Sequence, residues 1–280
     1  MKIGFKILLF FLLVSLLNCK VGEDYIKPEL DSKDSYRVDF KKDSSIANMP
    51  WWELFQDTTL QNIVKTTLEN NLDLKTSALR IQEAELKMGI VRSNLYPRID
   101  YSGDAALSIE DGSSFGSFNP TVSLSYEIDL WGKFKRLNES ALNEYLSTEQ
   151  AYQSITISLI ASVASNYLLL RDLDNRIIIS EQMADSWRKY LRIMTSRYKS
   201  GLVSRVNVNQ AEIQLYEALA AVKINERLRS QTENSISILM GLAPQNIRRG
   251  MALNEQVFPP DLPSGIPSDL LHRRPDILQA

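Results

Sequence analysis

One cysteine and one histidine are all that 280 residues carry. A single cysteine excludes any disulfide within the chain and any paired-thiolate metal site. The sole histidine, His272, is followed by Arg273 and Arg274. A hydrolytic triad or a histidine-bearing metal site would have to be built around it, and its setting is that of a surface or structural residue. Neither a phosphate-cradling glycine loop nor a Gly-x-Ser-x-Gly elbow occurs. An excess of one charge is also missing. The 32 basic and 34 acidic side chains leave a net charge of −2 without a basic block, which argues against nucleic acid as a partner. The reading is therefore of a chain with no cofactor, no metal and no catalytic residues.

A further absence is structural. From Lys133 to Ser200 there is neither glycine nor proline, and a helix of about 68 residues would run roughly 100 Å. Ordinary globular helices are about three turns, so such a run belongs to a coiled coil, a spacer or a conduit. What is present supports a helix. Leu170, Ile177, Ala184, Leu191 and Tyr198 recur at heptad spacing, with Leu173, Trp187 and Met194 in the companion position and Ser180 as one polar interruption. Gly201 breaks the run. A second stretch to Met240, with Val208, Ala211, Leu215, Ala218 and Val222 as its seam, turns the pair into a helical hairpin.

The start of the chain points to a location. Lys2 and Lys6 form a basic opening, Ile7 to Leu17 is apolar, and Cys19 follows directly. An apolar run of about eleven residues is too short to span a bilayer and reads as a secretory signal over residues 1–18. The position of Cys19 matches a bacterial lipoprotein processing site, so its thiol is expected to carry lipid. Lys20 does not look like an inner-membrane retention signal, which favours outer-membrane delivery. Residues 19–50, polar and marked by Pro28 and Pro50, read as an extended leader.

The folded part opens at Trp51-Trp52. Asp57 is an N-cap candidate, and the spacing of Leu60, Ile63, Val64, Leu68, Leu74, Ala78 and Ile81 predicts a helix over 58–96, stopped by Pro97. The period then changes to two. Ile99, Tyr101, Gly103, Ala105, Leu107 and Ile109 alternate with polar or small residues, and so do Val122, Leu124, Tyr126 and Ile128. Strands are expected over 98–109 and 120–130, with a loop rich in Gly, Ser and Asn between them. Each is long enough to cross an outer membrane when tilted. The long helix follows over 133–200 and its return over 204–240.

In this order the chain resembles the TolC-like outer-membrane efflux factors, in particular the NodT-type lipoprotein branch. The resemblance rests on Cys19 through Tyr25 with Pro28, Trp51-Trp52-Glu-Leu-Phe55 with Asp57 and Leu60, Asn70-Asn71-Leu-Asp-Leu74, and Leu95-Tyr96-Pro97. It continues with Tyr126-Glu-Ile-Asp-Leu-Trp-Gly132, Arg197-Tyr198 with Gly201 and Asn207-Val208, Leu239-Met-Gly-Leu242, and Leu270-Leu-His-Arg-Arg-Pro-Asp276. It implies a mainly α fold in which a coiled-coil hairpin contributes to an α-helical barrel and a strand pair to a transmembrane β-barrel, in a trimeric tube. Each family protomer has two such repeats and supplies four of twelve strands. Residues 51–240 match the first repeat, and 241–280 match the linker and the opening of the second.

By the same resemblance, the subunit is a passive conduit for small solutes across the outer membrane, extending into the periplasm and working with a periplasmic adaptor and an inner-membrane pump. The hairpin turn, here Gly201, Leu202, Val203 and Ser204, would meet the adaptor; Gly201 would also serve as a left-handed helix stop. Pore-gate residues belong to the second repeat and have no counterpart here. Glu127 and Asp129, the nearest approach to a carboxylate pair, would face water or cap the strand-to-helix bend. Two rival readings remain. A structural coiled-coil envelope lipoprotein has no need of the strands, and an envelope hydrolase needs convergent polar groups that the sequence does not supply.

Overall fold

The computed structural model describes residues 26, 50–110, 113–256 and 273–280. Cys19, nearly all of the leader and His272 lie outside the described residues. The elements are α1 (Trp51–Leu54), α2 (Thr58–Asn70), α3 (Leu72–Ser93), β1 (Arg98–Glu110), β2 (Ser113–Ser125), α4 (Lys133–Lys199), α5 (Arg205–Leu239), a 3₁₀ turn (Leu253–Glu255) and α6 (Pro275–Gln279). They divide into two compact units, one of residues 79–151 with 278–280 and the other of residues 50–78 with 152–277.

The second unit holds the principal core. Leu60, Ile63 and Val64 of α2 pack with Val163, Ala164, Tyr167 and Leu170 of α4, with Ile236 and Met240 at the end of α5, and with Ile247 beyond it. Burying one such aliphatic side chain stabilises by roughly 2 kcal/mol. The Trp51–Phe55 motif forms the short α1 and sets Trp51 and Phe55 against the same core. Gln61 holds that turn in place by donating to the carbonyls of Trp52 (2.8 Å) and Phe55 (2.7 Å).

The helix expected over 58–96 is two helices. At Asn71 the backbone leaves helical geometry, with φ −57° and ψ 129°. Its side chain explains why the break is stable. Oδ1 accepts from the Leu74 backbone N–H at 2.9 Å, restarting the chain as a cap, while Nδ2 donates to the Leu239 carbonyl at 2.9 Å. The break thus joins α2, α3 and the end of α5 at one asparagine.

The hairpin of α4 and α5 packs along the expected seam. Leu170, Leu173, Ile177, Ala184 and Met194 are buried, as are Val208, Ala211, Leu215, Ala218 and Val222. Trp187, Leu191 and Leu219 fill in beside them. Ser180, the polar interruption, accepts from Asn225 Nδ2 across the seam at 3.1 Å. A paired polar site of this kind penalises a shifted register, because sliding would separate the two groups. Tyr198 is the exception: it is 39% exposed, with the Arg205 guanidinium 5.7 Å from its ring centre.

In the first unit, β1 and β2 form an antiparallel pair whose register runs from Arg98 opposite Ser125 to Glu110 opposite Ser113. The strands differ in extent from the expected 98–109 and 120–130. From Ser113 on, the Gly/Ser/Asn-rich segment expected as a loop is strand, and residues 126–130 lie outside the ladder. Two physical reasons account for this. Only Asp111-Gly112 separates Glu110 from Ser113, and Asp-Gly is a preferred two-residue hairpin dipeptide. At the other end Ser125 faces Arg98, and the preceding Pro97 has no N–H with which to extend the ladder.

The register sorts the side chains by face. Ile99 pairs with Leu124, Tyr101 with Val122, Gly103 with Pro120, Ala105 with Phe118 and Leu107 with Gly116. Polar or small pairs alternate with these, including Asp100 with Ser123 and Ser102 with Thr121. The Phe118 ring covers Gly103, and a Cβ there would stand 3.2 Å from it. The apolar face is open: Tyr101 is 88% exposed, Leu107 75% and Val122 74%.

Candidate functional site

The end of α4 is closed by a Schellman motif. Gly201 adopts φ +72°, its N–H donates to the Tyr198 carbonyl and the Leu202 N–H to the Arg197 carbonyl, both at 2.9 Å. A Cβ on Gly201 would meet nothing within 4 Å. The glycine is therefore set by backbone conformation, and the space around it is open. Leu202 is 68% exposed, Val203 is half-buried, and Ser204 stands at the N-cap of α5 without a side-chain cap bond. Val206, 67% exposed, adds a second bare apolar group. The four residues lie in the turn between α4 and α5. Sequence reasoning missed the charge around them: between Asp185 and Glu212 there are six basic residues and no carboxylate.

A second cluster joins three separate parts of the chain. Asp57, 2% exposed, accepts through Oδ1 from the N–H groups of Thr59 (2.8 Å) and Leu60 (3.3 Å). Its Oδ2 accepts from the Tyr167 hydroxyl (2.8 Å), the Met251 N–H (3.0 Å) and Gln256 Nε2 (2.9 Å). The Tyr167 oxygen in turn accepts from the Gly250 N–H at 2.9 Å. A Cβ on Gly250 would lie 2.2 Å from Asp57 Oδ1, so only glycine fits beside this carboxylate. Burial pushes the Asp57 carboxyl up, but Gln256, Tyr167 and the backbone donors outweigh it and hold it below 3.8. Burial first, and the bond to Asp57 second, push the Tyr167 hydroxyl up to about 12.

Beside it, Arg249 spans two helices. It donates to Asp174 of α4 (Nε, 3.0 Å) and Glu233 of α5 (Nη1, 2.5 Å), and these two carboxylates outweigh desolvation to raise its pKa. Arg171 completes the clasp with Asp174 (2.8 Å) and the Met251 carbonyl (3.0 Å). Through Arg249, Gly250, Met251 and Gln256 these bonds fasten the segment after α5 to α2, α4 and α5. The arrangement holds structure. Asp57 was legible as a cap, but its partners Tyr167, Met251 and Gln256 were not, being 110 or more residues away.

The carboxylates at the strand-to-helix bend are likewise occupied. Asp129 Oδ2 accepts from the Lys135 N–H at 2.9 Å, capping the start of α4, and Glu127 faces Lys133 at 3.5 Å. Among the described residues no group of His, Cys, Asp and Glu is placed to hold a metal ion. An open groove nearby is lined by Tyr96, Pro97, Tyr126 and Glu127, bringing together two of the motifs on which the resemblance rests.

The sequence profile of the outer membrane efflux proteins matches residues 63–242, which takes in the strand pair, both long helices and the Leu239–Leu242 turn. The chain belongs to this family. Among its relatives is TtgC of Pseudomonas putida, described as a probable efflux pump outer membrane protein, 30% identical over 279 residues; the match covers 94% of this chain and 57% of TtgC. Among solved structures, a membrane protein from Pseudomonas aeruginosa superposes with a TM-score of 0.76 at 26% identity, covering 93% of this chain and 61% of that one. The open state of the MtrE outer membrane channel of Neisseria gonorrhoeae gives 0.75 at 26% identity, covering 93% and 60%. The efflux-protein chain described here thus spans about three-fifths of the length of these relatives.

Proposed function

We propose that this outer membrane efflux family chain forms part of a passive export channel, lipid-anchored through Cys19 in the NodT manner. The channel is a trimer that reaches from the outer membrane into the periplasm and takes its energy from an inner-membrane pump through a periplasmic adaptor. The observation that carries the reading is the strand pair: every second cross-strand pair, from Ile99 with Leu124 to Leu107 with Gly116, falls on one face whose large apolar side chains are exposed. In water such a face is a liability, whereas against lipid it is what a spanning strand requires. A structural coiled-coil lipoprotein would have no use for it. Relatives are described as efflux proteins for antibiotics, toluene and cations, so the cargo class proposed here is small solutes.

Adaptor docking is assigned to Gly201, Leu202, Val203 and Ser204. The open space at Gly201 supports it, since nothing among the described residues fills it. The test compares Gly201→Trp with Gly201→Ala in the complete protein. Both carry the strain of a left-handed backbone, but only tryptophan adds bulk. Gly201→Trp is expected to abolish export while Gly201→Ala retains it, and crosslinkers at Leu202 and Val203 are expected to capture the adaptor. Normal export by Gly201→Trp, together with no crosslink at either position, would show that the glycine is only a helix stop.

A further inference from the structure

The charge at the hairpin turn is organised unlike that of the rest of the helices. Elsewhere on the helices cations and carboxylates are interspersed, and several pair one turn apart, as Lys87 does with Glu83, Arg176 with Asp172 and Lys223 with Glu226. From residue 186 to residue 211 this ends. Arg188, Lys189, Arg192, Arg197, Lys199 and Arg205 are all exposed, and no acidic residue falls among them. Arg188 reaches back to Asp185. Among the described residues the other five have no carboxylate partner, on a chain whose net charge is −2.

Helix energetics explains only part of this. Arg197 and Lys199 sit in the last turn of α4, where the negative helix end favours cations. Arg205 is the first residue of α5, and there the positive helix end disfavours one. No acidic residue occupies that first turn. Arg205 is positioned nonetheless: its guanidinium lies over the Tyr198 ring, and its Nε donates to Asn209 Oδ1 at 3.2 Å. At the centre stand the exposed Leu202 and Val206. An apolar centre within a basic rim is the anatomy of a recognition surface for a partner of opposite charge.

Resting on the docking assignment above, we infer that the adaptor presents an acidic end to this tip, a small apolar contact surrounded by Asp and Glu side chains. The cations steer its approach. Association should then be fast at low ionic strength and fall steeply as salt screens the charges. An uncharged or basic adaptor tip would leave five like charges crowded without compensation.

The test uses the complete channel trimer and the full-length adaptor encoded with its pump. For the wild type, the association rate is expected to fall about tenfold or more between low salt and about 0.5 M salt. Arg197→Glu with Arg205→Glu should lower the low-salt rate by a similar factor. Arg197→Lys with Arg205→Lys should preserve it, and Arg227→Glu further along α5 should have no effect. Acid-to-lysine changes on the adaptor tip should restore binding to the charge-reversed channel. Size-exclusion of each variant as a trimer keeps folding out of the comparison.

An unchanged rate and salt dependence in the reversed variant, with Leu202 still crosslinking to the adaptor, would overturn the acidic partner and leave docking in place. Loss of the Leu202 crosslink in the wild type would remove both. If the reversed variant binds the adaptor normally but loses binding to phosphatidylglycerol-containing vesicles, the charge serves a lipid surface and the inference is wrong.

Discussion

Asp57 accepts five hydrogen bonds and, among the described residues, forms no ion pair, so oriented donors hold its charge. Asp57→Asn would turn an amide donor toward donors already in place, and a loss of about 3 kcal/mol in unfolding free energy is expected. The pH dependence has a definite sign. The folded carboxyl lies below 3.8, so its contribution is complete above that value and is lost as pH falls through the lower folded value. Tyr167 acts at the other limb: raised from 10.0 to about 12, it contributes fully below 10 and loses that contribution as pH rises through about 12. Urea midpoints across pH should show Asp57→Asn flattening the acid limb and Tyr167→Phe the alkaline one. Unchanged limbs would remove the carboxylate and the hydroxyl from the stability of the fold.

Two glycines make a sharper contrast at the same scale. Both Gly201 and Gly241 end helices in the left-handed region, at φ +72° and +68°. Around Gly201 there is open space, whereas a Cβ on Gly241 would lie 2.5 Å from the Asn70 carbonyl oxygen. Alanine at 201 is expected to cost about 1 kcal/mol and at 241 about 3 kcal/mol, because the second adds a backbone clash to the strain. Thermal midpoints of the two variants decide it, and equal shifts would deny the close approach.

Among the elements, the strand pair makes the most exposed claim. Spin labels at Leu107 and Leu124 are expected to be more accessible to a lipid-soluble relaxer than labels at Ser108 and Ser123. Equal accessibility at the four positions would favour a hairpin in water. The long helices were legible because their signals are local and repeated: heptad spacing in α4, a three-four seam in α5 and the absence of breakers. The alternation of the strands was legible for the same reason. The break at Asn71 was not, since asparagine is tolerated in helices and only its bond to Leu239, 168 residues on, shows why it stops one. The second strand was shortened at its start because its serines and glycine have the composition of a loop. The Asp111-Gly112 dipeptide is the sequence signal that would have moved the start of that strand toward Ser113.

For the molecule as a whole, the two-stranded sheet leaves both outer edges unpaired within the described chain. Open edges are not tolerated in lipid, so the proposed channel requires neighbouring strands on each side. The anchor should be equally definite: mass spectrometry of the mature N-terminal peptide is expected to find an acylated Cys19, and Cys19→Ala is expected to block maturation. A mature protein that begins at Met1 would remove the lipoprotein reading.

The Asp57 cluster also bears on the order in which the protein acquires its structure. Its partners lie 110, 194 and 199 residues downstream, and a chain exported from its N-terminus delivers them last. Until Met251 and Gln256 arrive, the start of α2 has a carboxylate that is costly to bury, and the core above it stays unsealed. Local helices form early, whereas contacts of this separation wait on the loop between them. The start of α2 is therefore expected to stay open until the hairpin is complete, and its closure to time the completion of the fold rather than its beginning.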